Sequence, residues 1–91
     1  MTNPFDGAAA SRLEELDRTH WLHPQGDLGA PPGTLAQRIF SQGRGALLTD
    51  VQGRTYLDGL ASLWNVNVGH GRAELAEAAA AQMRELAYTS G

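Results

Sequence analysis

Apolar residues recur at helical spacing near both ends of the chain and at shorter, strand-like spacing between them. Leu13, Leu16 and His20, with Trp21 beside them, fall near one helical face, whereas Arg12, Glu15 and Arg18 point elsewhere. Ser11 with Glu14 three residues on is a capping-box pattern, in which hydroxyl and carboxylate satisfy backbone donors of the first turn. Pro24 disfavours helical geometry at His23. The pattern predicts a helix from Arg12 to about Leu22, preceded by a disordered arm over residues 1–10 with Phe5 as its one candidate anchor. The second helical pattern is clearer: Leu75, Ala79, Met83 and Leu86 form one stripe, and an alanine-rich flank allows close approach of a neighbour. Glu74 and Glu77 near its start and Arg84 near its end complement the helix dipole, which predicts a helix over Arg72 to Tyr88.

Between these helices, His23 to Thr34 is rich in proline and glycine and reads as a fixed surface loop. Glycine then punctuates three short segments, Gln37 to Gln42, Ala46 to Thr49 and Arg54 to Asp58, which outline a three-stranded antiparallel meander. Asp50-Val51-Gln52-Gly53 has the chemistry of a type I turn followed by a left-handed residue. Three short strands leave two open edges, so another part of the protein should cover them. In Gly59 to Gly71, Val66 and Val68 alternate with Asn65 and Asn67, and the segment reads as extended and buried. The fold class expected from these elements is α+β.

Composition narrows the chemistry. The chain has 91 residues and 42% of them are hydrophobic, but 14 are alanines that bury little surface each, so the core is thin and one domain is the ceiling. With no cysteine, disulfides, thiolate metal sites and a cysteine nucleophile are excluded. The net charge of -3 and seven scattered arginines provide no stripe for a phosphate backbone, so no nucleic-acid partner is expected. The longest apolar run, Ala78 to Ala81, is far short of the roughly 20 residues that cross a bilayer. The first ten residues lack the pattern of a secretory signal, which makes the cytoplasm the expected location. All seven basic residues are arginine, and lysine is absent.

Few residues carry a chemical signal by themselves. His20 and His23 stand three apart, but spacing places no third ligand, and no metal site is expected. His70, between Gly69 and Gly71, is either a base at a flexible corner or a structural residue at a helix start, and the structural reading is favoured. Gly43-x-Gly45 and Gly69-x-Gly71 fail the dinucleotide fingerprint: the first joins two strands, and the second lacks the third glycine and the distant acidic partner. No serine occupies a nucleophile elbow. Trp64 is a core anchor or the aromatic wall of a ligand pocket, and spacing alone favours the core.

Four strings in succession nevertheless form a recognisable series. They are Leu16-Asp17-Arg18-Thr19-His20-Trp21-Leu22-His23-Pro24, then Gly53-Arg54-Thr55-Tyr56-Leu57-Asp58-Gly59, then Leu63-Trp64-Asn65-Val66-Asn67-Val68-Gly69-His70-Gly71, and Ala76 to Leu86 with Gln82-Met83. This series resembles the amino-terminal portion of class III pyridoxal-phosphate aminotransferases, most closely the ω-amino acid:pyruvate branch. The likeness runs from about Leu13 to Tyr88 and covers only the first fraction of a family member.

The resemblance implies that residues 11–91 are a partial amino-terminal segment of the small domain of a fold-type I (α/β) aminotransferase. Its partners would be the remainder of the enzyme and a second subunit of a homodimer, with small amine and keto-acid substrates. In the family an amino group moves from an amine or ω-amino acid to a keto acid, and a lysine amine carries the cofactor. Leu63 and Trp64 match the Leu-Trp pair that borders the family's substrate pocket, so they are expected substrate-binding residues and not catalysts. Gln25-Gly26 stand before Asp27 where the branch has an aromatic residue and threonine, and Ser62 and Asn65 also depart, so pocket shape should differ. Without lysine, no pyridoxal phosphate is expected on this chain alone, no catalytic residue is assigned, and the isolated chain should be inactive. The expectation is an enzyme fragment, with two alternatives: a non-catalytic module docking on an intact aminotransferase, and a small ligand-free α+β domain.

Overall fold

A computed structural model describes residues 3–23, 29, 31 and 38–91. Its elements in chain order are α1 (Gly7–His20), β1 (Phe40–Arg44), β2 (Leu47–Asp50), β3 (Thr55–Leu57), α2 (Ala61–Trp64) and α3 (Ala73–Glu85). The α+β class is the one expected. Gln25, Gly26 and Asp27, with most of the expected surface loop, lie outside the described residues.

The first helix begins earlier than its sequence pattern suggested. Asp6 is the N-cap, and its carboxylate accepts from the Ala9 N–H at 2.7 Å. Ala8 to Ala10, strong helix formers, then carry the first turn through part of the expected arm. Ser11 is an interior residue whose hydroxyl donates to the Gly7 carbonyl at 2.8 Å. The chain leaves the helix at Trp21 in extended geometry. Asn3, also in the expected arm, donates from its side chain to the Val51 carbonyl at 3.0 Å.

The meander has the expected strand order β1-β2-β3 and antiparallel pairing throughout, but β1 runs on through Gly43 and Arg44, which pair with Leu48 and Leu47 instead of forming the connection. Leu47 faces Leu57 and Thr49 faces Thr55, while the register between β1 and β2 shifts between Phe40 and Gln42. The turn after β2 has the predicted form: the Gly53 N–H reaches the Asp50 carbonyl at 2.9 Å, and Gly53 has φ +81°. Asp50 is 1% exposed, and its carboxylate accepts from the Gln52 and Arg54 backbone N–H groups, the Arg54 guanidinium and the Tyr56 hydroxyl. Burial works to raise its pKa, but the backbone and side-chain bonds from Arg54, the Arg54 charge and the Gln52 N–H outweigh it, leaving the pKa lowered. The Tyr56 ring meets Phe40 edge-on at 5.5 Å and receives Arg38 at 4.7 Å, which joins β3 to the start of β1.

The core is small. Among the described residues, Ala10 and Val51 are the buried apolar side chains, and Thr49 and Asp50 the buried polar ones. The last helix buries none of its residues, and Leu75, Met83 and Leu86 are exposed. It ends at Glu85, three residues before the expected Tyr88, because Leu86 is extended. No helix among the described residues is long and apolar enough to cross a membrane.

Candidate functional site

The segment from Gly59 to Gly71 is neither extended nor buried. Ala61, Ser62, Leu63 and Trp64 have φ of 48°, 47°, 65° and 67°, a single turn of left-handed helix built without glycine. Bonds from the Trp64 N–H to the Leu60 carbonyl at 3.0 Å and from the Asn65 N–H to the Ala61 carbonyl at 2.9 Å close it. Left-handed geometry costs an L-residue roughly 1–2 kcal/mol, so four in succession persist only where surrounding groups over-determine them. The alternation of asparagine and valine at 65–68 imitates strand spacing, yet it follows the turn instead of forming a ladder.

The groups that hold the turn converge on Asp58. Its backbone N–H donates to the Ala46 carbonyl at 2.8 Å, continuing the sheet one residue beyond β3. One carboxylate oxygen accepts from the Ser62 N–H at 2.9 Å; the other accepts from the Ser62 hydroxyl and from His70 Nε2, each at 2.8 Å. The Asp58 side chain is 7% exposed. The Ser62 N–H, the His70 ring and the Ser62 hydroxyl, opposed by desolvation and helped by the Leu60 N–H, bring its pKa down to about 2.

His70 is fixed from the opposite side. Its N–H donates to the Gly45 carbonyl at 2.8 Å and its carbonyl accepts from the Gly45 N–H at 3.0 Å. The imidazole lies over Gly43, where an added Cβ would stand 2.6 Å from Cγ and 2.7 Å from Nδ1. Gly43 is thus the place where the ring passes the hairpin, and Gly45, at φ +57°, turns it. His70 is structural, as favoured from sequence, but it anchors a carboxylate; the N-cap of α3 is Arg72. Gly43→Ala is expected to displace the ring and cost about 1–3 kcal/mol through overpacking, measured as a lower urea midpoint by circular dichroism.

Serine, histidine and aspartate so close together invite comparison with a nucleophile relay, and the geometry rejects it. His70 Nε2 and the Ser62 hydroxyl both donate to the same Asp58 oxygen and stand 3.4 Å from each other. The nitrogen that would have to accept the serine proton is already a donor. The arrangement is a carboxylate clamp.

Leu63 and Trp64 sit on the clamped turn with 48% and 72% of their surface exposed. The core-anchor reading of Trp64 is therefore wrong, and two large apolar side chains stand in the open on a strained backbone. They do not line the shallow depression of about 390 Å³ on the sheet, which Arg44, Gly45, Leu47, Thr49 and Thr55 form. His23 bonds Asp17 at 2.8 Å, and His20 is exposed at the end of α1. Among the described residues no three histidine or acidic side chains gather as a metal would require.

The roles of Asp58, Ser62 and Gly43 escaped the sequence reading. An acid four residues before a serine at the end of a strand was the available signal, but it suits any solvated turn equally well. Two arginines of this half of the chain are already engaged: Arg72 is held by Glu74 and the Val68 carbonyl, and Arg54 by Asp50.

Comparison with known proteins gives one consistent picture. The family model described as Aminotransferase class-III matches residues 29–91. The putrescine–pyruvate aminotransferase of Pseudomonas aeruginosa is 38% identical over 88 residues, 97% of this chain and 19% of the relative. The taurine–pyruvate aminotransferase of Rhodobacter capsulatus is 42% identical over 84 residues, 90% of this chain and 18% of the relative. A crystal structure of a transaminase from the marine bacterium Virgibacillus superposes with a TM-score of 0.76 at 52% identity, covering 88% of this chain and 18% of that one. The chain thus spans less than a fifth of the length of these relatives, and the structures it resembles are aminotransferases of fold-type I.

Proposed function

This chain belongs to the class III aminotransferase family, and from that premise we propose that it is the amino-terminal, substrate-facing part of a transaminase. The reaction is transfer of an amino group from an amine or ω-amino acid to a keto acid such as pyruvate. Both curated relatives named above carry pyruvate in their names, which supports the acceptor. Residues 11–91 contribute to the small domain, and the remainder of the enzyme and a second subunit complete it.

The observation that carries the reading is the exposed pair Leu63 and Trp64 on a left-handed turn. An unburied indole held on costly backbone geometry suits a wall against which an apolar part of an amine can rest. Family members use pyridoxal phosphate, which supplies the electron sink for the migrating amino group. This chain's own residues do not fit it as a point of attachment, because the sequence has no lysine. No catalytic step is assigned to them; their part is to shape the donor side of the pocket and exclude water there.

A chimera tests the reading. Residues 1–91 replace the matching segment of the Pseudomonas aeruginosa putrescine–pyruvate aminotransferase, and amine-dependent pyruvate consumption is measured. The chimera is expected to turn over amine, and Trp64→Ala to raise the amine KM about tenfold, equivalent to ~1.4 kcal/mol of lost binding, with pyruvate KM unchanged. An unchanged amine KM would remove Trp64 from the pocket wall.

A further inference from the structure

We propose that Asp58 is the positioning residue of this site, and that with Ser62 and His70 it sets the left-handed turn and hence the direction in which Leu63 and Trp64 leave the backbone. The role in substrate contact rests on the pocket-wall reading above; the grip on the turn does not.

Among the described residues, packing does not explain the turn. Ala61 is half-buried, Ser62, Leu63 and Trp64 are exposed, and α2 contains no buried residue. Glycine does not explain it either, since none of its four left-handed residues is glycine. Local bonds from the Asn65 amide to the Ser62 and Leu63 carbonyls, at 3.4 and 3.2 Å, tie the turn to itself and move with it. Among the described residues, Asp58 is the group that ties it by close hydrogen bonds to something else, with His70 Nε2 a further 3.4 Å from the Ser62 hydroxyl. Three bonds run from Ser62 and His70 to its carboxylate, its own N–H is held by Ala46, and His70 is held twice by Gly45.

The chain of contacts therefore leads from the β1–β2 connection through His70 and Asp58 to Ser62, whose neighbours are the two wall residues. A carboxylate suits the junction because it accepts all three bonds at once. An asparagine at position 58 keeps one acceptor oxygen for the Ser62 N–H, but its NH₂ group meets the other two partners only if the Ser62 hydroxyl turns to accept and the imidazole changes tautomer, and it carries no charge. Its size is nearly that of aspartate, so it separates hydrogen bonding from bulk.

The test uses the full 91-residue chain, labelled with ¹⁵N and ¹³C, with Asp58→Asn and Asp58→Ala as variants. Positive φ brings each amide proton close to its own α-proton, so residues 61–64 should give strong intraresidue cross-peaks in the wild-type chain. Cross-strand peaks between Leu47 and Leu57 report the sheet independently. The expected result is loss of the strong peaks at 61–64 in Asp58→Ala while the cross-strand peaks persist, with Asp58→Asn weakening them to a lesser degree. Retention of the turn in Asp58→Ala would overturn the proposal. So would loss of the cross-strand peaks in both variants, because Asp58 would then be a residue of the sheet and not of the turn. No substrate or cofactor enters the measurement, so its outcome is separable from that of the chimera.

Discussion

The purified 91-residue chain, mixed with pyridoxal phosphate, an amine and pyruvate, is expected to transaminate no faster than the cofactor free in buffer. Enzymes of ordinary efficiency exceed uncatalysed reactions by about 10⁶-fold or more, so the predicted difference from an active family member is the entire catalytic effect. The reason is chemical. A side-chain primary amine is what carries the cofactor covalently and returns as a base, and arginine does not replace it, because its guanidinium stays protonated. The sequence contains seven arginines and no lysine. The measurement is coupled detection of alanine formed from pyruvate, with heat-treated chain as control. Turnover above that control would refute the assignment of this chain to a supporting part.

Asp50→Ala is expected to produce the largest loss of stability of any single substitution in the sheet. Its carboxylate accepts four bonds from a position 1% exposed. Removing it leaves two backbone N–H groups of the turn, the Tyr56 hydroxyl and the Arg54 guanidinium without that acceptor. Arg54 is 50% exposed and regains water cheaply, so the cost falls on the turn and on Tyr56, at about 3 kcal/mol. Against a typical domain stability of about 5–15 kcal/mol, and a core this small, that loss removes much of the folded population. Urea unfolding followed by circular dichroism measures it, and Arg54→Ala, expected to cost about 1 kcal/mol or less, is the control. An Asp50→Ala effect no larger than the Arg54→Ala effect would show that the turn is held by its backbone alone.

Acid should act on the same carboxylates in a defined direction. Asp50 and Asp58 both have folded pKa values below the unfolded value near 3.8. Their contribution to stability is therefore complete above that pH and is lost as pH falls through the folded values, about 2 for Asp58. Alanine at either position should flatten the acid limb of the stability curve.

The legible parts of the fold were those with local causes. Helical spacing located both long helices, and Asp50 to Gly53 specified its turn through residue chemistry that acts within four positions. The start of α1 was misplaced because Ser11 and Glu14 satisfy a capping pattern that Asp6 pre-empts one turn earlier. The turn at 61–64 was illegible for a different reason: no residue there prefers φ above zero, and its cause lies in contacts from Asp58 and His70. Leu63 and Trp64 emerged from resemblance to a family, whereas the acid beneath them had no pattern to announce it. Gly43 appeared only as half of a failed nucleotide motif, since its reason is a ring that arrives from residue 70.

The clamp also bears on the order in which the chain can assemble. Asp50 and Tyr56 are six residues apart, whereas Asp58 must wait for His70, twelve positions further along. Closing the longer loop costs more chain entropy, and during synthesis the amino-terminal residues emerge first. On these grounds the hairpin is expected to form before the imidazole reaches it, and the left-handed turn is expected to set last in this region.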